Sequence, residues 1–299
     1  MKPIKKDKEE QITGLIMVLP IVVLLGIFVA VPLVYASYRS FFTGIYTSTF
    51  VGFDNYGLVL KNEYFVKSLI TVTIFSIIIT VLQLLLSFFF AHVLQKMQNK
   101  YGVFIRTIIY LPYLISPIVV GVIFTLLTTF NGGAINSVLN SIGIDSIAFN
   151  NDVFWSPMSI IIPTIWIGFG YFSLVMYAGL VNIPKVYYEA AWIDGANFFQ
   201  TLRYITLPNM KNYFVLLTVT LIVANLQMFE VPLMMTNGQP ANKTMTPVLY
   251  LIHSRSNGNI TDGEILAASI LIMIVIAVIN SLVFMFSNFY SSKDEGDRT

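Results

Sequence analysis

Six runs of this chain, 12–37, 68–94, 103–128, 157–181, 212–236 and 264–288, are long and apolar enough to cross a lipid bilayer. A crossing helix needs about 20 mostly apolar residues. In hydrocarbon every backbone N–H and C=O must find its partner within the chain, which restricts spanning structure to helices and closed barrels. Runs this long read as helices, so the expected fold is an all-α membrane protein of six transmembrane helices. The composition agrees. Charged residues make up 11% and apolar residues 56%, with a mean hydropathy of +0.77. Soluble domains carry about 25% charge, so these charges are too few to cover a globular surface. Pro20 and Pro32 are placed to bend the first run, and Pro112 and Pro117 the third. The first run follows a basic start but is far longer than the roughly 7–15 apolar residues of a signal peptide, so it reads as a retained anchor. A net charge of +2 points to no nucleic-acid partner, and the absence of cysteine removes disulfides, thiolate metal sites and thiol catalysis.

Lysine and arginine set the orientation, because they concentrate on cytoplasmic segments. With the N-terminus inside, twelve of the 17 lie on inside segments: Lys2, Lys5, Lys6 and Lys8; Lys96, Lys100 and Arg106; Lys185, Arg203 and Lys211; Lys293 and Arg298. Arg39, Lys61, Lys67, Lys243 and Arg255 fall outside. Both termini are therefore expected in the cytoplasm. The expected divisions are a cytoplasmic segment 1–11, a first transmembrane helix with an external loop 12–67, a five-helix core 68–288 holding a cytoplasmic loop 182–210, and a cytoplasmic tail 289–299. In the loop 129–156, the spacing of Ile135, Val138, Leu139 and Ile142 predicts a short amphipathic helix at the interface. Asn242-Lys243-Thr244 and Asn259-Ile260-Thr261 match the glycosylation pattern, a three-residue signal too short to carry weight.

The loop 182–210 is too polar for lipid yet is patterned like folded structure. Pro184 suits the first turn of a helix. Lys185 to Ile193 runs without a breaker, and Asp194-Gly195 stops it, since glycine takes the left-handed conformation at a helix end. Asn197 can cap a second helix from Phe198 to about Thr206, with Pro208 expected to end it. Ala190 and Ala191 leave a shallow face that a partner can approach closely, flanked by Tyr187, Tyr188, Trp192 and Ile193. Residue types alone allow two readings, an amphipathic connector between spans or a docking surface for another protein.

The order of residues goes further. Glu189-Ala190-Ala191, three residues, Gly195, nine residues, Ile205, one residue, then Leu207-Pro208 resembles the signature loop of permeases in binding-protein-dependent ABC importers. Other stretches resemble the carbohydrate branch of that family, of the maltose-transporter type. They are Phe50-Val51-Gly52-Phe53-Asp54-Asn55-Tyr56, Trp166-Ile167-Gly168-Phe169-Gly170-Tyr171, Asn182-Ile183-Pro184 and Thr236-Asn237-Gly238-Gln239-Pro240. The family often has a second glycine where this chain has Gln239. The resemblance covers residues 12–290 and implies the type I importer permease fold. The first and last of these stretches make the chain look like the first of two permeases.

The resemblance implies that the loop is a coupling helix seated on a cytoplasmic ATPase dimer, with Glu189, Ala190, Ala191, Asp194, Gly195, Ile205, Leu207 and Pro208 as contact positions. It implies a second permease, of a different sequence, and an external solute-binding protein. It also implies a prokaryotic cytoplasmic membrane and import of a carbohydrate, in most cases an oligosaccharide, by alternating access. No phosphate loop of the form Gly-x-x-x-x-Gly-Lys-Ser/Thr is present, so this chain is expected to be non-catalytic, with ATP and magnesium bound on the ATPase and no cofactor or metal of its own. The resemblance places substrate contacts at Ile167, Gly168 and Tyr171 of the fourth run and at Asn225, Gln227, Phe229 and Glu230 of the fifth. Amides and a carboxylate suit sugar hydroxyls, and an aromatic ring suits the apolar face of a sugar. Asn225 and Gln227 serve equally as hydrogen bonds between helices. Glu230 is either a path residue or one at the outer water boundary. Gln83 and Asn280 read as bonds between helices, and the solitary His92 as structural.

The runner-up substrate class is a solute such as glycerol phosphate, disfavoured because phosphate is met by cations and no Lys or Arg lies in the interior of the runs, Arg106 standing near the end of the third. An ion-coupled secondary transporter would place charges or broken helices at the midplane, and the runs offer one acid well inside a span, Glu230. An intramembrane enzyme would need a nucleophile elbow, a metal motif or paired acids, and none occurs. Both rivals leave the signature loop unexplained.

Overall fold

The computed structural model describes residues 8–44, 49–97, 100–258 and 260–296. Lys2, Lys5, Lys6 and Arg298 of the charge pattern and Asn259 of the second glycosylation pattern lie outside them. The described residues are almost wholly helical and form two compact units, Met1–Asn62 with Ser254–Leu271, and Glu63–His253 with Ile272–Thr299.

In the first unit, α1 (Lys8–Leu25) passes through a π-helical turn (Gly26–Ala30) into α2 (Val31–Arg39). The wide turn lies immediately before Pro32, whose ring and missing N–H disfavour a regular helix there. No residue between Ile12 and Arg39 is buried, as befits a helix whose apolar side chains meet lipid. The segment that follows is tied by its own polar groups. Phe42 and Phe50 form an antiparallel bridge, Gly52 takes φ +57°, and α3 (Asp54–Lys61) begins. The buried Asn55 amide donates to the carbonyls of Ser40 (2.7 Å) and Phe42 (2.9 Å). The Phe50–Tyr56 stretch therefore has a local structural cause.

The second unit is built around α4 (Glu63–Lys96), longer at both ends than the run 68–94. The third run is not one straight helix. It consists of α5 (Lys100–Tyr110), a 3-10 turn (Leu111–Leu114) and α6 (Pro117–Thr128), bent by 96° at Ile115-Ser116. Prolines on both sides of the break remove donors and restrict the residues before them. A short α7 (Ala134–Ser141) matches the expected amphipathic helix, with Val138 exposed. α8 (Trp155–Val181) forms the fourth span.

After α8 come α9 (Lys185–Ile193) and α10 (Phe198–Thr201), then a π-helical turn (Leu202–Thr206) that leads straight into α11 (Leu207–Leu226). The expectation that Pro208 ends the second loop helix is thus corrected. The wide π turn just before it accommodates the proline, and the helix continues into the membrane. The fifth span then breaks at Gln227–Phe229 before α12 (Glu230–Met235). α13 (Pro247–Asn257) and α14 (Asp262–Gly296) complete the chain.

Packing in the second unit follows one seam. Lipid tails are as apolar as leucine, so membrane helices associate through close packing and hydrogen bonds rather than through the hydrophobic effect. α4 buries Ser68, Ser76, Thr80, Gln83, Ser87 and Ala91 at helical spacing. Ser76 donates to Ile222 O (3.3 Å), and Thr80 accepts from Asn225 Nδ2 (3.4 Å) on α11. Gln83, Ser87 and Gln95 donate to Ile165, Phe169 and Leu180 on α8, at 3.4, 3.5 and 3.5 Å. Glycines allow the approach. A Cβ on Gly168 would land on the Gln83 amide, one on Gly170 on the Ile109 carbonyl, and one on Gly121 of α6 within 2.7 Å of Met234. Thr125 also donates to Met234 O (3.2 Å), fastening α6 to the short helix α12.

Gly170→Ala is expected to destabilise the chain by about 1–3 kcal/mol, since it forces α5 and α8 apart against backbone. Gly57→Ala, where a Cβ meets nothing within 4 Å, is the control. Thermal unfolding of both variants in detergent checks this: a lower midpoint for Gly170→Ala alone is predicted.

Candidate functional site

The loop between α8 and α11 folds as two helices joined by a tight turn. α9 ends at Asp194, and Gly195 takes φ +73° with open space where a side chain would be. The left-handed region disfavours residues with a Cβ. Asn197 then makes a full capping box: its Oδ1 accepts from Gln200 N (3.0 Å), and Gln200 Oε1 accepts from Asn197 N (2.8 Å). The tyrosyl hydroxyl of Tyr188 meets Thr206 Oγ1 at 3.2 Å and pins α9 to the π turn. Ala191 faces inward and is buried, whereas Glu189 and Ala190 are exposed.

The result is a concave surface of about 520 Å³ lined by Ala190, Ala191, Asp194, Tyr204, Ile205 and Pro208, among others. Five of the eight positions singled out in the loop, Ala190, Ala191, Asp194, Ile205 and Pro208, therefore line one hollow; Glu189 and Leu207 are exposed outside it, and Gly195 shapes the turn. Large apolar side chains stand clear around it. Trp192 is 82% exposed, Ile193 78%, Phe199 77% and Tyr204 71%. Exposed apolar patches of this kind are uncommon on structured loops and are a feature of surfaces that meet other proteins or a membrane. Phe198, Phe199 and Tyr204 were not singled out from sequence, although the aromatic pair directly after the cap residue was a readable signal.

The seven residues expected along a substrate path do not form one cluster. Asn225 is buried and bonded to Thr80, the geometry of a bond between helices. Gly168 is buried against Gln83, and Ile167 packs beside the core that holds Leu226 and Met228. Gln227, Phe229 and Glu230 sit at the break between α11 and α12, Gln227 exposed and the other two half-buried. Glu230 Oε2 accepts from Phe229 N at 3.4 Å. Irregular backbone inside a span is tolerated where it is buried in protein or lines a cavity. Tyr171 faces elsewhere. It stacks on Tyr113 of the 3-10 turn, with ring centroids 4.4 Å apart and planes 10° apart, and Tyr110 lies at 6.5 Å. Neither Tyr110 nor Tyr113 was singled out from sequence, because only the bend of the third span brings them to α8. Gln83 does bond between helices, and His92 contacts Phe88 through both its ring and Nδ1. Arg106 is turned to the carbonyls of Gly102 and Met97, at 3.0 and 3.2 Å, and lies over Tyr177 at 4.5 Å.

Comparison with known proteins places this architecture. Residues 83–293 match the family described as binding-protein-dependent transport system inner membrane component. The arabinooligosaccharides transport system permease protein AraP of Halalkalibacterium halodurans is 32% identical over 250 residues, 83% of this chain and 78% of that protein. The lactose transport system permease protein LacF of Rhizobium radiobacter is 27% identical over 278 residues, 91% of this chain and 93% of that one. A chain of a bacterial alginate ABC transporter, solved with an alginate pentasaccharide-bound periplasmic protein, superposes with a TM-score of 0.81 over 98% of both chains at 23% identity. The fold is shared with that transporter.

Asn197→Ala removes one side of the capping box, worth about 1 kcal/mol. Amide exchange at residues 198–201 is expected to rise roughly five-fold, while Asn197→Ser leaves it near the wild-type rate. Hydrogen exchange read by mass spectrometry checks both.

Proposed function

This chain belongs to the family of binding-protein-dependent transport system inner membrane components, and on that premise we propose that it is a permease subunit of an ATP-driven sugar importer. The observation that carries the reading is the hollow between α9 and the π turn, ringed by exposed aromatics and bearing the Glu189–Pro208 pattern. It suits a cleft on a cytoplasmic ATPase. ATP and magnesium belong to that subunit, and no step of hydrolysis uses a residue of this chain.

The helix from Phe198 to Leu226, interrupted only by the π turn, supports a mechanical link. At 1.5 Å per residue it extends about 40 Å. Its lower end forms one wall of the hollow, and its upper end stops at the break bearing Gln227, Phe229 and Glu230. A displacement of the loop by a closing ATPase would move that break without loss in a flexible joint. This is the form alternating access takes when one rigid body rocks around a central site.

Two separate places, the break and the tyrosine stack, carry groups that suit a sugar. Gln227 and Glu230 offer hydrogen bonds to hydroxyls, and Tyr113 and Tyr171 offer aromatic faces. The relatives named for arabinooligosaccharides and lactose support a neutral oligosaccharide. Arg106, near the end of the third run, is itself engaged by the carbonyls of Gly102 and Met97 and by the ring of Tyr177. The membrane partner is a second permease of different sequence, and the external partner a solute-binding protein. The site is a multi-pass chain in a prokaryotic cytoplasmic membrane.

The test is purification of the tagged chain from its native membrane, with Gly195→Trp in parallel. The wild type is expected to bring a phosphate-loop ATPase and a second permease, and to support ATP-dependent sugar uptake. Gly195→Trp, strained by its positive φ but with open space at its Cβ, is expected to insert and to keep the second permease while losing the ATPase and uptake. A wild-type chain that comes out alone and moves a solute without ATP would overturn the proposal.

A further inference from the structure

We propose that the second unit carries a binding site for one anionic phospholipid, recognised through its phosphodiester headgroup, at the end of α4 opposite the α9–α10 loop. The site is a groove of about 400 Å³ between the first turns of α4 and the turn at Ala241–Lys243. It lies at the far end because Gln95, at the other end of α4, bonds to Leu180 just before α9. Ile70 and Ile74, on one face of α4, are about half exposed and form an aliphatic wall, with the buried Phe75 behind them. Lys67 and Lys243 stand at its rim.

The charges fit a single phosphodiester. Lys67 pairs with Glu63 at 2.6 Å, both side chains largely exposed. Among the acids and bases at the groove this leaves one net positive charge, matching the one negative charge of such a headgroup. An exposed pair of this kind contributes little by itself, so Lys67 is free to share its charge with a phosphate. The aliphatic wall continues along α4, where an acyl chain would lie.

The position of Lys243 is not accidental. Ala241 and Asn242 take φ +50° and +56°, a region that residues with a Cβ seldom occupy. Such conformations persist only where surrounding contacts impose them, and they gather at binding sites. Here the contacts are plain. Lys243 N donates to Pro240 O (3.0 Å), Met245 N to Asn242 O (3.2 Å), and Thr244 Oγ1 to Gln239 O (3.0 Å). The Gln239 amide donates to Asn242 Oδ1 (3.3 Å). A strained turn held by four hydrogen bonds thus presents a lysine beside an apolar wall at the end of a membrane-spanning helix. A lysine beside an aliphatic wall can meet a phosphodiester with its ammonium while its stem and the wall meet an acyl chain.

The test uses the full chain with the subunits that accompany it from the membrane. Native mass spectrometry in detergent compares retention of phosphatidylglycerol and phosphatidylcholine. Phosphatidylglycerol is expected to be retained about five-fold or more over phosphatidylcholine, and Lys243→Gln to cut that preference about five-fold. In parallel, benzoylphenylalanine replacing Ile74 is illuminated in membranes, where a phospholipid adduct is expected. Equal retention of the two lipids, or a preference unchanged in Lys243→Gln, overturns the proposal. So does an Ile74 adduct with a protein, which would mean that a partner subunit covers the groove.

Discussion

The structure of the second unit depends on the small and polar seam of α4. A membrane helix gains nothing by hiding leucine from lipid, so its partners are chosen by close approach and by hydrogen bonds that hydrocarbon cannot supply. Ser76 and Thr80 bind α11, while Gln83, Ser87 and Gln95 bind α8. The glycines of α8 remove the side chains that would hold the helices apart. Because α4 touches both helices that flank the α9–α10 loop, it fixes the distance between the two places where the loop enters the membrane. The hollow between α9 and the π turn keeps its shape on that foundation.

The second dependence is the π turn at Leu202–Thr206. A proline within a regular helix removes a hydrogen bond and strikes the carbonyl four residues back. The wide turn admits Pro208 and lets a surface helix become a membrane span without a joint. The pattern Ile205, Leu207 and Pro208 is therefore a statement about helix continuity as much as about contact. The break at Gln227–Phe229 is its counterpart at the other end, where the same helix stops among the polar residues of the fifth span.

Much of this was legible in the sequence, and the misses have physical causes. Run length and apolar composition located the spans, since the bilayer imposes one thickness on all of them. The turn at Gly195 and the cap at Asn197 were legible because each is a local demand on one residue type. Pro208 was misread, because a proline after a helix of ordinary length looks like a stop, and only a π turn reveals otherwise. The bend of the third span was readable from Pro112 and Pro117 in direction but not in size. Its consequence, the stacking of Tyr113 on Tyr171, joins residues 58 positions apart and left no local signal. Asn225 kept two readings in sequence, and its bond to Thr80 could be seen only once α4 and α11 were side by side.

The central claim is that the hollow on the α9–α10 loop receives a separate ATPase. The chain has no cysteine, so Ala190→Cys, at an exposed position on the rim, gives a single site for a thiol cross-linker. In native membranes the account predicts one cross-linked product, between this chain and a phosphate-loop ATPase, whose yield changes when ATP is added. Free reaction of that cysteine with a soluble thiol reagent, with no protein product under any nucleotide condition, would contradict it.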